Sequence, residues 1–217
     1  MAIFNERPIL IPAEADHRIA NNLASLNGVI RLQRNEISKA GNSFSAEQVC
    51  SLLDDVRARI EVTAKLHHSL ARTASGNGVN LGAFLREISE MIATLGPDGH
   101  MELRVAGCCE AHIDPRQALH AGLITAELLT NASKYAHPTG LPVNVQIKCD
   151  TKTDGSFVVE VSDDGVGFPE SFDPATDGGL GFQLMRALAA GLDAELEFEH
   201  SSVGVCARIL KPRHLAS

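Results

Sequence analysis

Glu127, Asn131 and Lys134, in the stretch "ELLTNASKYAHP", recur at intervals of four and three. On a helix they share one face, while Leu123, Ile124, Leu128 and Leu129 make the rest apolar. A carboxylate, an amide and an ammonium side by side suit a magnesium-bound polyphosphate: oxygen donors for the ion or its water, a positive charge for the phosphates. A second group, "VSDDGVGFP", follows the alternating strand pattern "SFVVEVS" and puts Asp163 ahead of Gly165 and Gly167. The glycines let the backbone turn sharply and come close to a flat base. The carboxylate, an acceptor only, can take a hydrogen bond from an exocyclic amine. A third, "DGGLGFQLM", places Gly178, Gly179 and Gly181 just before a helix start, where free N–H groups and the helix dipole favour phosphate. It is not a dinucleotide fingerprint, because the helical pattern begins at once and no βαβ unit follows.

A fourth group lies far upstream. "AEADHRIANNLASLNGVI" reads as an amphipathic helix in which His17 falls away from the apolar side and is followed by Arg18, Asn21 and Asn22. At about 100° per residue, His17 stands roughly 160° round from Ile19, so the ring projects away from a bundle interior. A neutral imidazole, with a reference pKa of about 6.5, is nucleophilic near physiological pH. It can attack a terminal phosphate in line.

These groups need scaffolding, and the pattern supplies it. Ile19, Leu23, Leu26, Ile30 and Ile37 step like a heptad seam, and "SAEQ", Ser45 to Gln48, has the capping-box form that opens a second helix. Val49, Leu52, Leu53, Val56, Ile60 and Leu70 carry the second seam. Two helices alone bury too little, so the hairpin predicts a second copy and a four-helix bundle across a homodimer, with a hairpin packed on the rest of its own chain as the alternative. "TASGNGVN", Thr73 to Asn80, reads as a flexible linker into a new domain. Beyond it the pattern predicts helices at 81–95, 115–135 and 180–190, and strands at 101–106, 143–149, 157–162, 195–199 and 203–210. That mixed order predicts one sheet covered by helices on one face. The fold class is thus α+β, an N-terminal helical hairpin over 1–75 followed by an α/β sandwich over 76–217.

The 217 residues are 44% hydrophobic and 21% charged, enough for a proper core. A net charge of -8, one Tyr and no Trp argue against a nucleic-acid surface. No apolar run is long enough for a membrane span, and the expected location is the cytoplasm. The five cysteines lack CxxC spacing and read as neither a disulfide framework nor a zinc site.

In order and spacing, the three downstream motifs resemble the N, G1 and G2 boxes of the Bergerat ATP-binding fold, shared by sensor histidine kinases, certain heat-shock chaperones, gyrase B and MutL. The resemblance spans about Asn80 to Leu210 and implies ATP and Mg2+ as cofactors. By position it implies that Glu127 polarises a magnesium-bound water, that Asn131 holds the metal and that Lys134 meets phosphate. Asp163 would take the adenine amine, while Gly165, Gly167, Gly179 and Gly181 would shape the pocket and its lid.

"HRIANNL" in turn is similar to the His-Arg-x-x-Asn-Asn-Leu acceptor motif of the HWE histidine kinases and their relatives. This implies autophosphorylation of His17 and transfer to an aspartate on the receiver domain of a response regulator. Asp16 or Glu14 would orient the ring or take its proton, and Asn21 would position the water that hydrolyses the regulator's aspartyl phosphate. Ala126 stands where strict HWE members have a histidine, and tryptophan is absent, so the likeness is to the wider class. With about twelve residues ahead of the acceptor helix and nothing after the nucleotide domain, input is expected from a separate sensor protein. Two alternatives remain: a histidine phosphotransfer protein with a non-catalytic ATP-binding-like domain, and an anti-sigma-factor serine kinase, against which residues 1–75 argue.

Overall fold

A computed structural model describes residues 28, 30, 45–73, 78–95, 101–107, 110, 112–138, 141–152, 156–201 and 203–212. His17 and Asn21 lie outside the described residues, as does most of the first predicted helix. Helix α1 (Ala46–Thr73) opens on the capping box that the sequence predicts. The Gln48 N–H bonds to Ser45 Oγ at 3.2 Å while Gln48 Oε1 takes the Ser45 N–H at 2.9 Å. Then follow β1 (Val79–Asn80), α2 (Leu81–Leu95), β2 (Met101–Ala106), β3 (His112–Ile113), α3 (Pro115–Tyr135), β4 (Val143–Thr151) and β5 (Phe157–Asp163). Helix α4 (Leu180–Gly191) and strands β6 (Glu195–Ser201) and β7 (Gly204–Lys211) complete the order.

Five strands form one sheet in the order β2-β4-β5-β7-β6, with β2 and β4 parallel and the other pairs antiparallel. Along β4, Val143, Val145, Ile147 and Cys149 are buried while Asn144, Lys148 and Asp150 face solvent. Among the described residues, helices therefore cover one face only, in keeping with the alternation of period two. Helix α3 lies across that face. It starts where Asp114 accepts from the Arg116 N–H at 2.8 Å and Pro115 takes a first-turn position, needing no N–H there. Small residues let its neighbours come close: a Cβ on Gly122 would stand 2.9 Å from both Ile88 Cδ1 and Phe84 Cε1.

The region expected as a flexible linker is partly ordered. Val79 is fully buried, and β1 pairs with β3 in a two-residue antiparallel ribbon. Gly78 at φ +93° passes so close to Ile113 that a side chain would strike its carbonyl. Asn80, read as a loop residue, caps α2 by accepting from the Ala83 N–H at 2.8 Å. Upstream, Leu66 and Leu70 of α1 belong to the same core as Phe84, Ile124 and Leu129. The amino-terminal part of the α1 seam differs, since Val49 and Leu53 are exposed there. Cys50 and Cys206 are free thiols, but Cys149 is disulfide-bonded, so one bridge exists where spacing suggested none.

Candidate functional site

Helix α3 carries Glu127, Asn131 and Lys134 on the side away from the sheet core. Glu127 is only 7% exposed, Asn131 half-buried and Lys134 exposed. Gly181, in the first turn of α4, sits directly on this group: a Cβ there would stand 3.0 Å from Glu127 Oε2 and 3.9 Å from Asn131 Oδ1. The start of α4 therefore meets the polar face of α3, and a side chain at Gly181 would press on the Glu127 carboxylate. Gly179 is its N-cap, contributes no side-chain bond and borders open space.

The Asp163 loop reaches the other end of α3. The Val166 N–H donates to the Ala136 carbonyl at 2.9 Å, and Gly165 lies flat against Ala136. Ala136 is nine residues beyond Glu127, or about 14 Å along the axis at 1.5 Å per residue. One helix thus holds two glycine loops a short, fixed distance apart.

Asp163 itself is partly buried at the end of β5 and accepts from the Gly165 N–H at 2.9 Å and the Val205 N–H at 3.3 Å. Burial pushes its carboxyl above the usual range despite both bonds, helped by the negative charge of Asp164. Asp164 has the opposite balance. Burial raises it, but the Asn144 side chain and backbone and the His137 ring outweigh that and hold it below the ordinary value. Asn144 Nδ2 donates at 2.6 Å, the Asn144 N–H at 2.9 Å, and His137 Nε2 lies at 3.1 Å. So Asp164 fastens the loop, and Asp163 accepts both the Gly165 and the Val205 N–H on Oδ1.

Between the loops, Gly167 at φ +74° turns the chain into a segment that an aromatic cluster closes. Phe168 packs on Phe172, Phe182 and Phe198 with ring centroids 4.9, 5.9 and 5.9 Å away. Arg186 of α4 donates to the Pro174 and Asp177 carbonyls at 2.7 and 3.1 Å.

The sequence did not reveal two residues of α1 that touch this site. Arg59 Nε donates to Glu127 Oε1 at 2.8 Å and Arg59 Nη2 to Glu127 Oε2 at 3.2 Å. Lys134 Nζ donates to Asp55 Oδ1 at 2.6 Å. Neither could be told from an ordinary charged helix face, because the register of α1 against α3 is set by tertiary packing. Arg186, Asn144 and His137 were missed because their partners, the 174–177 segment and Asp164, are brought to them only by tertiary packing.

The donor set fits a magnesium nucleotide: an amide and a carboxylate oxygen lie close together beside a helix start and a lysine. Among the described residues no three His, Cys, Asp or Glu cluster. A magnesium ion held by one protein oxygen, waters and substrate phosphates needs no such cluster.

Residues 14–95 match the family model described as histidine kinase, and residues 117–214 match the model described as histidine kinase-, DNA gyrase B- and HSP90-like ATPase. The chain is 29% identical over 201 residues to blue-light-activated histidine kinase 2 of Erythrobacter litoralis, covering 91% of this chain and 55% of the relative. It is 28% identical over 186 residues to sensor histidine kinase PdtaS of Mycobacterium tuberculosis, covering 84% of this chain and 35% of the relative. It thus spans about half or less of these relatives. A solved histidine kinase domain from an Erythrobacter litoralis blue-light activated histidine kinase superposes with a TM-score of 0.68 at 25% identity, covering 93% of each chain. A longer structure of that kinase gives a TM-score of 0.72 at 29% identity, covering 93% of this chain and 58% of the other. Both the helical N-terminal region and the ATPase-like sheet domain match these proteins, and the chain belongs to the histidine kinases.

Proposed function

We propose that this chain transfers the γ-phosphoryl group of magnesium ATP to its own His17 and then to an aspartate on a response regulator receiver domain. What carries the reading is the meeting of Glu127, Asn131 and Gly181 on the helix that also docks the Asp163 loop, in a chain with the His-Arg-x-x-Asn-Asn-Leu motif. Residues 76–217 form the ATP-binding part, and residues 1–75 the dimerising phosphotransfer hairpin of a cytoplasmic homodimer.

Asp163 accepts the adenine amine on its remaining oxygen, and Gly165 and Gly167 keep the backbone close to the base. Lys134 and the N–H groups at Gly179 and Gly181 meet phosphate. Asn131 would hold the metal, and Glu127 would orient and polarise a water beside it. When bound, Mg2+ neutralises charge building up on the leaving phosphates. The His17 ring nitrogen forms a bond to the γ-phosphorus as the bond to the bridging oxygen breaks. ADP departs with that electron pair, and the ring proton passes to Asp16 or Glu14. Incubation with radiolabelled ATP tests the acceptor: wild type should gain acid-labile label and His17→Gln none. Undiminished label on His17→Gln would overturn the assignment.

A relay that accepts phosphoryl groups without using ATP is the second reading, favoured by the occupation of Glu127 and Lys134 by α1. Titration calorimetry with a non-hydrolysable ATP analogue separates the two. Heat of binding supports the kinase, and none at millimolar ligand supports the relay.

A further inference from the structure

We propose that α1 is an internal competitor of the magnesium nucleotide, with Arg59 standing in for the cation at Glu127 and Asp55 for a phosphate at Lys134. The inference rests on the ATP reading above and adds to it a means of control. Arg59 and Asp55 are four residues apart on α1, hence on one face, and Glu127 and Lys134 are seven apart on α3. Glu127 and Lys134 thus each face an opposite charge across the helix pair.

The contacts are close. The Arg59 and Glu127 side chains are 18% and 8% exposed and joined by two bonds, and Lys134 meets Asp55 at 2.6 Å. The Thr63 hydroxyl donates to the Arg59 carbonyl at 2.7 Å, bracing α1 one turn further on. A Cβ on Gly181 would come within 3.6 Å of Arg59 Nη2, so the guanidinium reaches the junction of α3 and α4 itself. With one guanidinium nitrogen on each oxygen, Glu127 has less negative charge and fewer acceptor sites to offer a water, and Asp55 neutralises the Lys134 charge that a phosphate would meet. Docking of α1 and binding of the nucleotide therefore compete for the same charges.

Ordinary electrostatics predicts the reverse of this model for one variant, which makes it decisive. Removing a positive charge beside a polyphosphate site should weaken binding, as it also should if Arg59 grips the nucleotide. An internal competitor predicts tighter binding, because Glu127 then loses its partner in the closed arrangement and α1 releases the site. With magnesium and a non-hydrolysable ATP analogue added to the full chain, Arg59→Gln and Arg59→Ala should each lower Kd by about tenfold. Amide exchange of residues 55–63 in the wild type should quicken on adding the same ligand. An unchanged or raised Kd in a variant that keeps the wild-type thermal transition, or unaltered exchange on saturation, overturns the proposal. If neither wild type nor variants bind, the ATP reading itself has failed, and the competitor with it.

Discussion

Gly165 is packed so tightly on Ala136 that a Cβ would fall 2.5 Å from the Ala136 Cα and 2.7 Å from its carbonyl oxygen. Backbone, unlike a flexible side chain, cannot turn aside. Gly165→Ala should force the Asp163 loop off the end of α3, at a cost of about 1–3 kcal/mol in stability. Nucleotide affinity should fall at least about tenfold. Wild-type affinity in Gly165→Ala would show that this docking does not shape the base site.

Asp163 gives a prediction with a defined pH sign. Its folded-state carboxyl is raised by burial, so unfolding releases protons between the ordinary and the raised value. Stability therefore falls as pH rises through that window and stays reduced above it. Asp163→Asn keeps an oxygen for the Gly165 and Val205 N–H groups but turns an amide N–H2 toward the adenine amine. It should raise the thermal midpoint at pH 7, with the gain shrinking as pH falls through the carboxylate range. Nucleotide affinity should drop about tenfold or more. A lower midpoint at pH 7 would refute the burial argument.

Arg186 acts on the segment between the glycine loops by holding two of its carbonyls. Arg186→Ala should leave the aromatic cluster in place and the sheet intact, yet speed amide exchange at 173–178. The expected cost is a several-fold rise in KM for ATP with little change in kcat, since Arg186 positions and does not react. Equal exchange rates in wild type and variant would remove that role.

Asn21 stands four residues beyond His17 in the sequence. If its amide orients the hydrolytic water, Asn21→Ala should keep His17 labelling nearly intact while prolonging the lifetime of the phosphorylated regulator. The check is the decay of labelled regulator with each protein, and identical decay would make Asn21 a bystander.

Much of this was legible because the signals were local. Ser45 and Gln48 announce α1, Asp114 and Pro115 announce α3, and the strands of the large sheet match their predicted spans to within two residues at each end. What escaped has no local signature. The two-residue strands β1 and β3 are too short for a period, and Asn80 looks like a linker residue until the helix it caps is seen. Arg59 and Asp55 acquire meaning only from helices far apart in sequence, as does the bridge at Cys149.

Leu66 and Leu70 fix one part of α1 in the core while Arg59 lies seven residues earlier. At 1.5 Å per residue that is a short arm of about 10 Å, whereas the start of α1 at Ala46 is about 30 Å from Leu66. If α1 releases Glu127 as the competitor proposal requires, it does so as a lever with its fulcrum near Leu66. A tilt of about 20° lifts Arg59 by about 4 Å, enough to free Glu127, while the far end swings by about 10 Å. The chain leading back toward His17 leaves from that far end, so force applied there reaches Glu127 multiplied about threefold.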